Sequence, residues 1–281
     1  MADIDLKGKV AIITGGGGGM GRIMSLGLIK RGAKVAAVDV NADAAKATAD
    51  EGNRISNAGS AIAIAADITK PEECERVVAQ VVRELGGVHM LVNNAGIGMQ
   101  TINENYMNAP VRFWEAEPDR WQRMVDVNFK APYLMARAVA PHMIRQKWGR
   151  IVNVTTSLDT MIRGAYTPYG QTKAALEAAT ATWAKDLKDT GVTVNVLVPG
   201  GPTNTGFIPS SAPFDRAKLV QPTVMEGPIV WLASDLSNGI TDCRFVGQAW
   251  DTSLPPDEAA KKVCAPAAWP NMGIQAAWPG A

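Results

Sequence analysis

Short apolar runs, several of them apolar throughout rather than alternating, recur along this chain and are separated by longer segments of helical character. The runs are Val10–Ile13, Lys34–Val38, Ala61–Ala65, Met90–Val92, Ile151–Val154 and Val192–Val198. A strand that is apolar at successive positions has to be covered on both faces, which is the situation of a parallel strand between two helical layers. Between the runs lie the helical candidates Met20–Arg31, Ala42–Asn57, Pro71–Leu85, Asp119–Gln146, Thr172–Lys188 and Thr223–Ser234. This order predicts an α/β fold: a doubly wound, mostly parallel sheet in a single domain. A last apolar piece, Cys243–Trp250, is a candidate closing strand.

At 281 residues the chain buries a large core without a disulfide or metal staple. Its 28 Lys and Arg nearly balance 27 Asp and Glu, for a net charge of +1. That balance argues against a nucleic-acid partner or an anionic membrane surface. Three cysteines, Cys74, Cys243 and Cys264, are odd in number and lack metal-ligand spacing. We therefore expect no metal and a reduced, cytoplasmic setting. Met1–Lys9 has no apolar stretch behind a basic head, and no run is long enough to span a bilayer, so neither a secretory leader nor a membrane span is expected. Residues 1–254 read as one nucleotide-binding unit and 255–281 as a C-terminal tail rich in Ala and Pro, with Trp269 and Trp278. Its prolines disfavour a long regular helix.

The first run leads into Thr14-Gly15-Gly16-Gly17-Gly18-Gly19-Met20-Gly21. Glycines let backbone amides turn tightly and approach a phosphate, and a helix starting near Met20 aims its positive end at a pyrophosphate. A glycine run alone is as often a plain turn. Its place between an apolar strand and a helix is what makes it a dinucleotide signal. Asp39 ends the second run, eighteen residues after Gly21. A carboxylate there accepts hydrogen bonds from the adenosine ribose and repels a 2′-phosphate, and no Arg or Lys adjoins it, so NAD is expected over NADP. Asp67, followed by Ile68 at the end of the third run, is a weaker candidate to face the adenine.

Tyr169-Gly170-Gln171-Thr172-Lys173 sets a phenol and an amine four residues apart, on one face of a helix and about 6 Å apart along its axis. A nearby ammonium favours phenolate and draws the phenol's pKa toward neutrality, which suits proton exchange with a carbinol oxygen. The spacing by itself is common on solvated helices. Here it follows the strand Ile151–Val154 and the hydroxyls Thr155, Thr156 and Ser157, at the strand end where open α/β sheets bind ligands. Asn93-Asn94-Ala95-Gly96 leaves a strand at the same edge, and Asn128 sits inside a helical segment, where asparagine needs a reason.

With these residues in place, the chain resembles the shorter, soluble branch of the short-chain dehydrogenase/reductase family. Thr14, Gly15, Gly19 and Gly21 match its TGxxxGxG motif, with Gly18 and Met20 between them. Asn93–Gly96 match its NNAG motif. Asn128, a hydroxyl near 156, Tyr169 and Lys173 match its catalytic set, and Pro199-Gly200 matches the turn after its sixth strand. The resemblance covers roughly Leu6 to Trp250. It implies a Rossmann-type fold and a homotetramer. It also implies hydride transfer to the nicotinamide B-face, with NAD held by Gly15, Gly18, Gly19, Met20, Gly21, Asp39, Asp67, Ile68, Asn94, Ala95, Gly96, Tyr169, Lys173, Pro199, Gly200, Pro202, Thr203 and Thr205. The expected reaction interconverts a secondary alcohol and a ketone. Tyr169 exchanges the proton, Lys173 lowers its pKa, Thr156 or Ser157 holds the substrate oxygen, and Asn128 links Lys173 to solvent. A 3-ketoacyl-thioester reductase shares all these residues, and a non-enzymatic dinucleotide sensor shares the fold.

Three departures stand out. The family serine falls on Thr156 in an ungapped count, with Ser157 one place later. Pro202 has no N–H where the family often uses a backbone amide, leaving Thr203 or Thr205 to make the contact. The segment Ile97–Pro118 is long for a strand-to-helix connection. Its Gln100, Asn103, Asn105, Tyr106 and Asn108 lead us to expect a sugar, polyol or similar polar alcohol, with the tail also helping to shape the pocket. Arg163 and Tyr166 lie near Tyr169 in the chain, whereas His89 and His142 read as structural.

Overall fold

The computed structural model describes residues 4–56, 59–209 and 212–270. Eight strands form one sheet in the order β3-β2-β1-β4-β5-β6-β7-β8. They are β1 (Val10–Thr14), β2 (Lys34–Asp39), β3 (Ala61–Ala65), β4 (Met90–Asn93), β5 (Gly149–Val154), β6 (Val192–Val198), β7 (Cys243–Val246) and β8 (Cys264–Pro266). The first seven pair in parallel and β8 joins β7 antiparallel. The helices are α1 (Gly19–Lys30), α2 (Ala42–Ile55), α3 (Pro71–Leu85), α4 (Pro118–Val125), α5 (Ala131–Arg145), α6 (Leu158–Met161), α7 (Tyr169–Asp186), α8 (Glu226–Leu232) and α9 (Pro256–Val263).

The continuous apolar runs are divided between two cores, as their composition requires. Within β1, Ala11 and Ile13 join a core with Met24, Leu28, Trp231 and Ala259 from α1, α8 and α9. Val10 and Ile12 join the opposite core with Val77, Val81, Met135 and Ala184 from α3, α5 and α7. The doubly wound expectation holds. Chain order reverses between β1, which pairs with β2 on one side, and β4 on the other. That reversal opens a crevice at the carboxyl ends of the strands, where ligands bind in open sheets.

Several expected boundaries shift for physical reasons. The helix expected over Asp119–Gln146 is α4 and α5 joined by a π-helical turn, Asp126–Lys130. The extra residue in that turn carries Asn128, fully buried. Helix α7 begins at Tyr169 rather than Thr172, which places the phenol in its first turn. The expected closing strand stops at Val246, where the tight turn Gly247–Ala249 takes over.

The tail departs most from expectation. It opens with α9, whose Ala259, Ala260 and Val263 are buried, and Asp257 accepts the Trp231 indole N–H at 2.6 Å. Strand β8 then runs back along β7, pairing Cys264 with Phe245 and Pro266 with Cys243. The described tail therefore heads toward the amino-terminal edge of the sheet, away from the crevice. The expectation that Trp269 shapes its own chain's pocket is overturned by this direction. Trp278 lies outside the described residues.

Candidate active site

The glycine loop between β1 and α1 is pinned from its side. The Thr14 hydroxyl donates to Val92 O and accepts from the backbone amides of Asn94 and Ala95, at 3.0 and 3.1 Å. The Asn94 amide donates to the carbonyls of Thr14 and Gly15. Gly15 has φ +62° and a Cβ there would sit 2.9 Å from Ala95 Cα, so only glycine fits. A Cβ on Gly21 would fall 2.0 Å from Gly15 O, so this glycine closes the loop onto α1 rather than facing a ligand. Asp39 Oδ2 accepts the Gly17 N–H at 3.0 Å and Oδ1 accepts that of Asn41, which fixes the carboxylate beside the loop.

A groove of about 400 Å³ lies over these elements. Gly15, Gly18, Gly19, Met20, Asp39, Asp67, Ile68, Asn94, Ala95, Gly96 and Thr205 line it, all of them expected from the sequence. Asp67 is held below the usual carboxylate range, first by the Thr69 hydroxyl and also by Arg123, another lining residue that sequence reasoning missed. Gly21, Tyr169, Lys173, Pro199, Gly200, Pro202 and Thr203 are not among the groove's walls. Thr203 is buried with its hydroxyl on Gly201 O, and Pro202 O accepts the Val220 N–H, so of the segment after β6 it is Thr205, Gly206 and Phe207 that line the groove.

The groove's far end meets the reactive side chains. Lys173 is buried, donates to Val154 O at 2.9 Å, and lies with Asn128 against Gly96. Burial pulls its ammonium down to about 8. Burial pushes the Tyr169 phenol up to about 12, against the lowering effect of the nearby Thr156 hydroxyl. The protein alone thus favours neutral phenol, which corrects the expectation that Lys173 by itself draws Tyr169 toward phenolate.

The two candidate hydroxyls separate. Thr156 faces Tyr169, whereas Ser157 caps α6, accepting the Thr160 N–H and lying 2.7 Å from the Thr160 hydroxyl. Asn128 has a further, structural role. Its Oδ1 accepts the Ile97 N–H at 2.8 Å and its Nδ2 donates to Ile97 O at 2.9 Å. The side chain thus anchors the start of the long loop, and its Oδ1 keeps a second lone pair on the side it shares with Lys173 at Gly96.

Sequence reasoning missed a buried network behind Thr156. Arg244 donates to Thr156 O at 2.6 Å and to Glu177 Oε2 at 2.6 Å, and the Thr155 hydroxyl donates to the same carboxylate oxygen at 2.7 Å. The signal was available: Glu177 is one helical turn beyond Lys173, and Arg244 interrupts an apolar strand.

The asparagines of the long loop bond within the loop itself. Asn103 bonds Ala109 O and the Asn105 N–H, and Asn108 bonds Asn105. They hold the loop's own turns. Met99, Ile102 and Met124 are buried under it, with Tyr106, Tyr166 and Tyr169 packed against them. His89 accepts the Val10 N–H, and burial lowers its pKa, in keeping with a structural role. Among the described residues no cluster of side chains offers a metal site, and no helix is long and apolar enough to cross a membrane.

Comparison with known proteins agrees with this geometry. Residues 9–213 match the family model for short chain dehydrogenase. A 3-oxoacyl-[acyl-carrier-protein] reductase from Synechocystis sp. is 31% identical over 82% of this chain and 91% of its own length. A 2,5-dichloro-2,5-cyclohexadiene-1,4-diol dehydrogenase from Sphingobium indicum is 31% identical over 84% and 93%. In structure, 3-ketoacyl-(acyl-carrier-protein) reductase from Brucella melitensis complexed with NADH superposes with a TM-score of 0.73 at 31% identity, covering 84% of this chain and 95% of that one.

Proposed function

This chain belongs to the short-chain dehydrogenase family, and from that premise we propose that it is an NAD(H)-dependent oxidoreductase interconverting a secondary alcohol and a ketone. The observation that carries the reading is Tyr169 in the first turn of α7 with the Thr156 hydroxyl near its phenol, and Lys173 buried on the same helix where the groove ends. When bound, the dinucleotide supplies the hydride acceptor or donor and, once oxidised, a positive charge. Tyr169, drawn toward phenolate by positive charge nearby, takes the hydroxyl proton during oxidation and returns it during reduction. Thr156 holds the substrate oxygen. Lys173, anchored on Val154 O, keeps a donor at the end of the groove for the nicotinamide ribose. Asn128 sets the loop wall through Ile97.

Asp39 is the reason to prefer NAD. Each of its oxygens accepts one backbone N–H and keeps a lone pair for a ribose hydroxyl, and its charge opposes a 2′-phosphate. The enzyme works in this reading as a homotetramer in the cytoplasm on a small molecule. Titration of NADH and NADPH by nucleotide fluorescence tests the cofactor choice, and NADPH binding as tight as NADH rejects it. Turnover of secondary alcohols with NAD tests the reaction. A second reading, reduction of 3-oxoacyl thioesters, is favoured by the names of several relatives. Acetoacetyl-CoA with either reduced dinucleotide separates the two.

A further inference from the structure

The sheet order β3-β2-β1-β4-β5 puts the end of β3 on the side of the groove farthest from Tyr169. Asp39 closes β2 there in register with Ala65, and Asp67 follows Ala65 by two residues. The Thr69 backbone amide and hydroxyl both donate to Asp67 Oδ1, at 3.2 and 2.7 Å, which leaves Oδ2 open to a donor. Arg123 on α4 lines the same groove, as does Val127 four residues on. Its guanidinium is near enough to help keep Asp67 ionised. Yet among the described residues no ion pair or hydrogen bond takes up that guanidinium. The other arginine of this helix, Arg120, is bonded to the carbonyls of Thr101 and Ile102. Apart from the carboxylates, Arg123 and Thr69, this end of the groove is apolar, lined by Val38, Val40, Ala66 and Ile68.

An ionised carboxylate only accepts hydrogen bonds and a guanidinium only donates them. The N7 edge of adenine offers the complementary pair, an amino donor beside a ring-nitrogen acceptor. A 6-oxo purine offers two acceptors on that edge, so its oxygen is set against the Asp67 carboxylate. Apolar side chains beside such a pair suit the faces of a purine. Resting on the dinucleotide reading above, we propose that Arg123 is a base-reading residue: its guanidinium donates to adenine N7 while Asp67 Oδ2 accepts from the 6-amino group, so that the two together select adenine over 6-oxo purines. NAD and NADP carry the same base, so this selection is independent of the choice that Asp39 makes between them.

The test is a fluorescence titration of the full chain with NADH, with reduced nicotinamide hypoxanthine dinucleotide, and with reduced nicotinamide mononucleotide, which has no purine. The wild type is expected to bind NADH about tenfold or more tightly than the hypoxanthine analogue, the scale of one hydrogen bond to a charged group. Arg123 is exposed, so Arg123→Met keeps the fold, and an unchanged urea midpoint checks this. That variant is expected to weaken NADH about tenfold and the hypoxanthine analogue less than about threefold, because the 6-oxo group already holds that base out of register. The mononucleotide is expected to bind both proteins equally. An unchanged Kd for NADH in the variant, or a wild type that binds the two dinucleotides equally, overturns the proposal. Equal losses on both dinucleotides also overturn it, since they show a long-range attraction for the pyrophosphate. So does a matching loss on the mononucleotide, which shows a disturbed groove. If NADPH binds more tightly than NADH but loses the same tenfold in Arg123→Met, the preference for NAD falls and this proposal stands. If neither dinucleotide binds the wild type, the dinucleotide reading falls and this proposal with it.

Discussion

Arg244 and Glu177 fix the backbone that carries the Thr156 hydroxyl, through bonds of 2.6 Å from the guanidinium to Thr156 O and to the carboxylate. Both side chains are buried. Removing one partner of a buried pair strands the other, at about 3–5 kcal/mol, whereas replacing both by apolar residues is often nearly neutral. We therefore expect Arg244→Met to destabilise the fold by about that amount, read from the urea midpoint. Arg244→Met combined with Glu177→Met is expected to recover most of the stability but not kcat, because Thr156 O still lacks its donor. Recovery of kcat together with stability shows the pair to be purely structural. At the same site, Thr156→Val is expected to cost about a hundredfold in kcat, and Ser157→Ala less than about tenfold, since Ser157 caps a short helix. The reverse order assigns the substrate oxygen to Ser157. Tyr169→Phe is expected to abolish turnover and leave dinucleotide binding intact, and retention of a tenth of kcat contradicts its role as proton partner. Lys173 adds a pH signature. Its folded pKa, near 8, lies below its ordinary 10.5, so from pH 8 to 10 the unfolded chain holds the extra proton and stability rises with pH. Lys173→Met removes that rise. The difference in urea midpoint between wild type and variant, followed across this window, is therefore expected to shift in favour of the wild type as pH increases.

The parallel strands and most helices were legible as elements because their signals are local. A continuous apolar run in β1 divides its side chains between two cores and allows little else. The π-helical turn was not legible, since it arises from a long-range demand. Asn128 must present both ends of its amide to Ile97, and one extra residue in the turn accompanies that placement. The sequence marked Asn128 as out of place but gave no sign of its partner. The 97–118 loop is ambiguous in sequence for the same reason. Its asparagines are as suited to a ligand as to turns, and their bonding partners lie within six residues of each. Phe207 meets Tyr169 and Gly98 across more than thirty positions of chain, which no spacing rule reports. Asn128→Ala is expected to leave the Ile97 N–H and carbonyl unpaired, at about 1–3 kcal/mol for each group left buried. It should also raise KM for the alcohol more than the dinucleotide Kd. Unchanged stability shows that water replaces the amide without cost.

At the scale of the whole molecule, the tail's composition hid its role. Proline and alanine argue against a long helix, and α9 is indeed short, but its small residues let it lie close on α8. There Ala259, Ala260 and Val263 cover the core around Trp231 and Trp250, and Asp257 takes the Trp231 indole proton. Strand β8 then covers the β7 edge and ends in buried Ala267. Residues 256–267 are by this geometry a part of the fold before they are anything else. A chain ending at Pro255 loses α9, β8 and the cover over two tryptophans, so we expect its Tm to fall by about 10 °C or more, taking about 2–4 °C per kcal/mol for a chain of this size. A chain ending at Ala267 keeps α9 and β8 and is expected to melt within a few degrees of the full chain, with unchanged kcat/KM in its own pocket, because the described tail leaves the sheet at the edge opposite Tyr169. Loss of kcat/KM in the Ala267-ended chain with Tm preserved would place the remaining residues at a pocket, and light scattering on the same samples then tells whether that pocket belongs to a neighbouring copy: assembly and activity fall together only if it does.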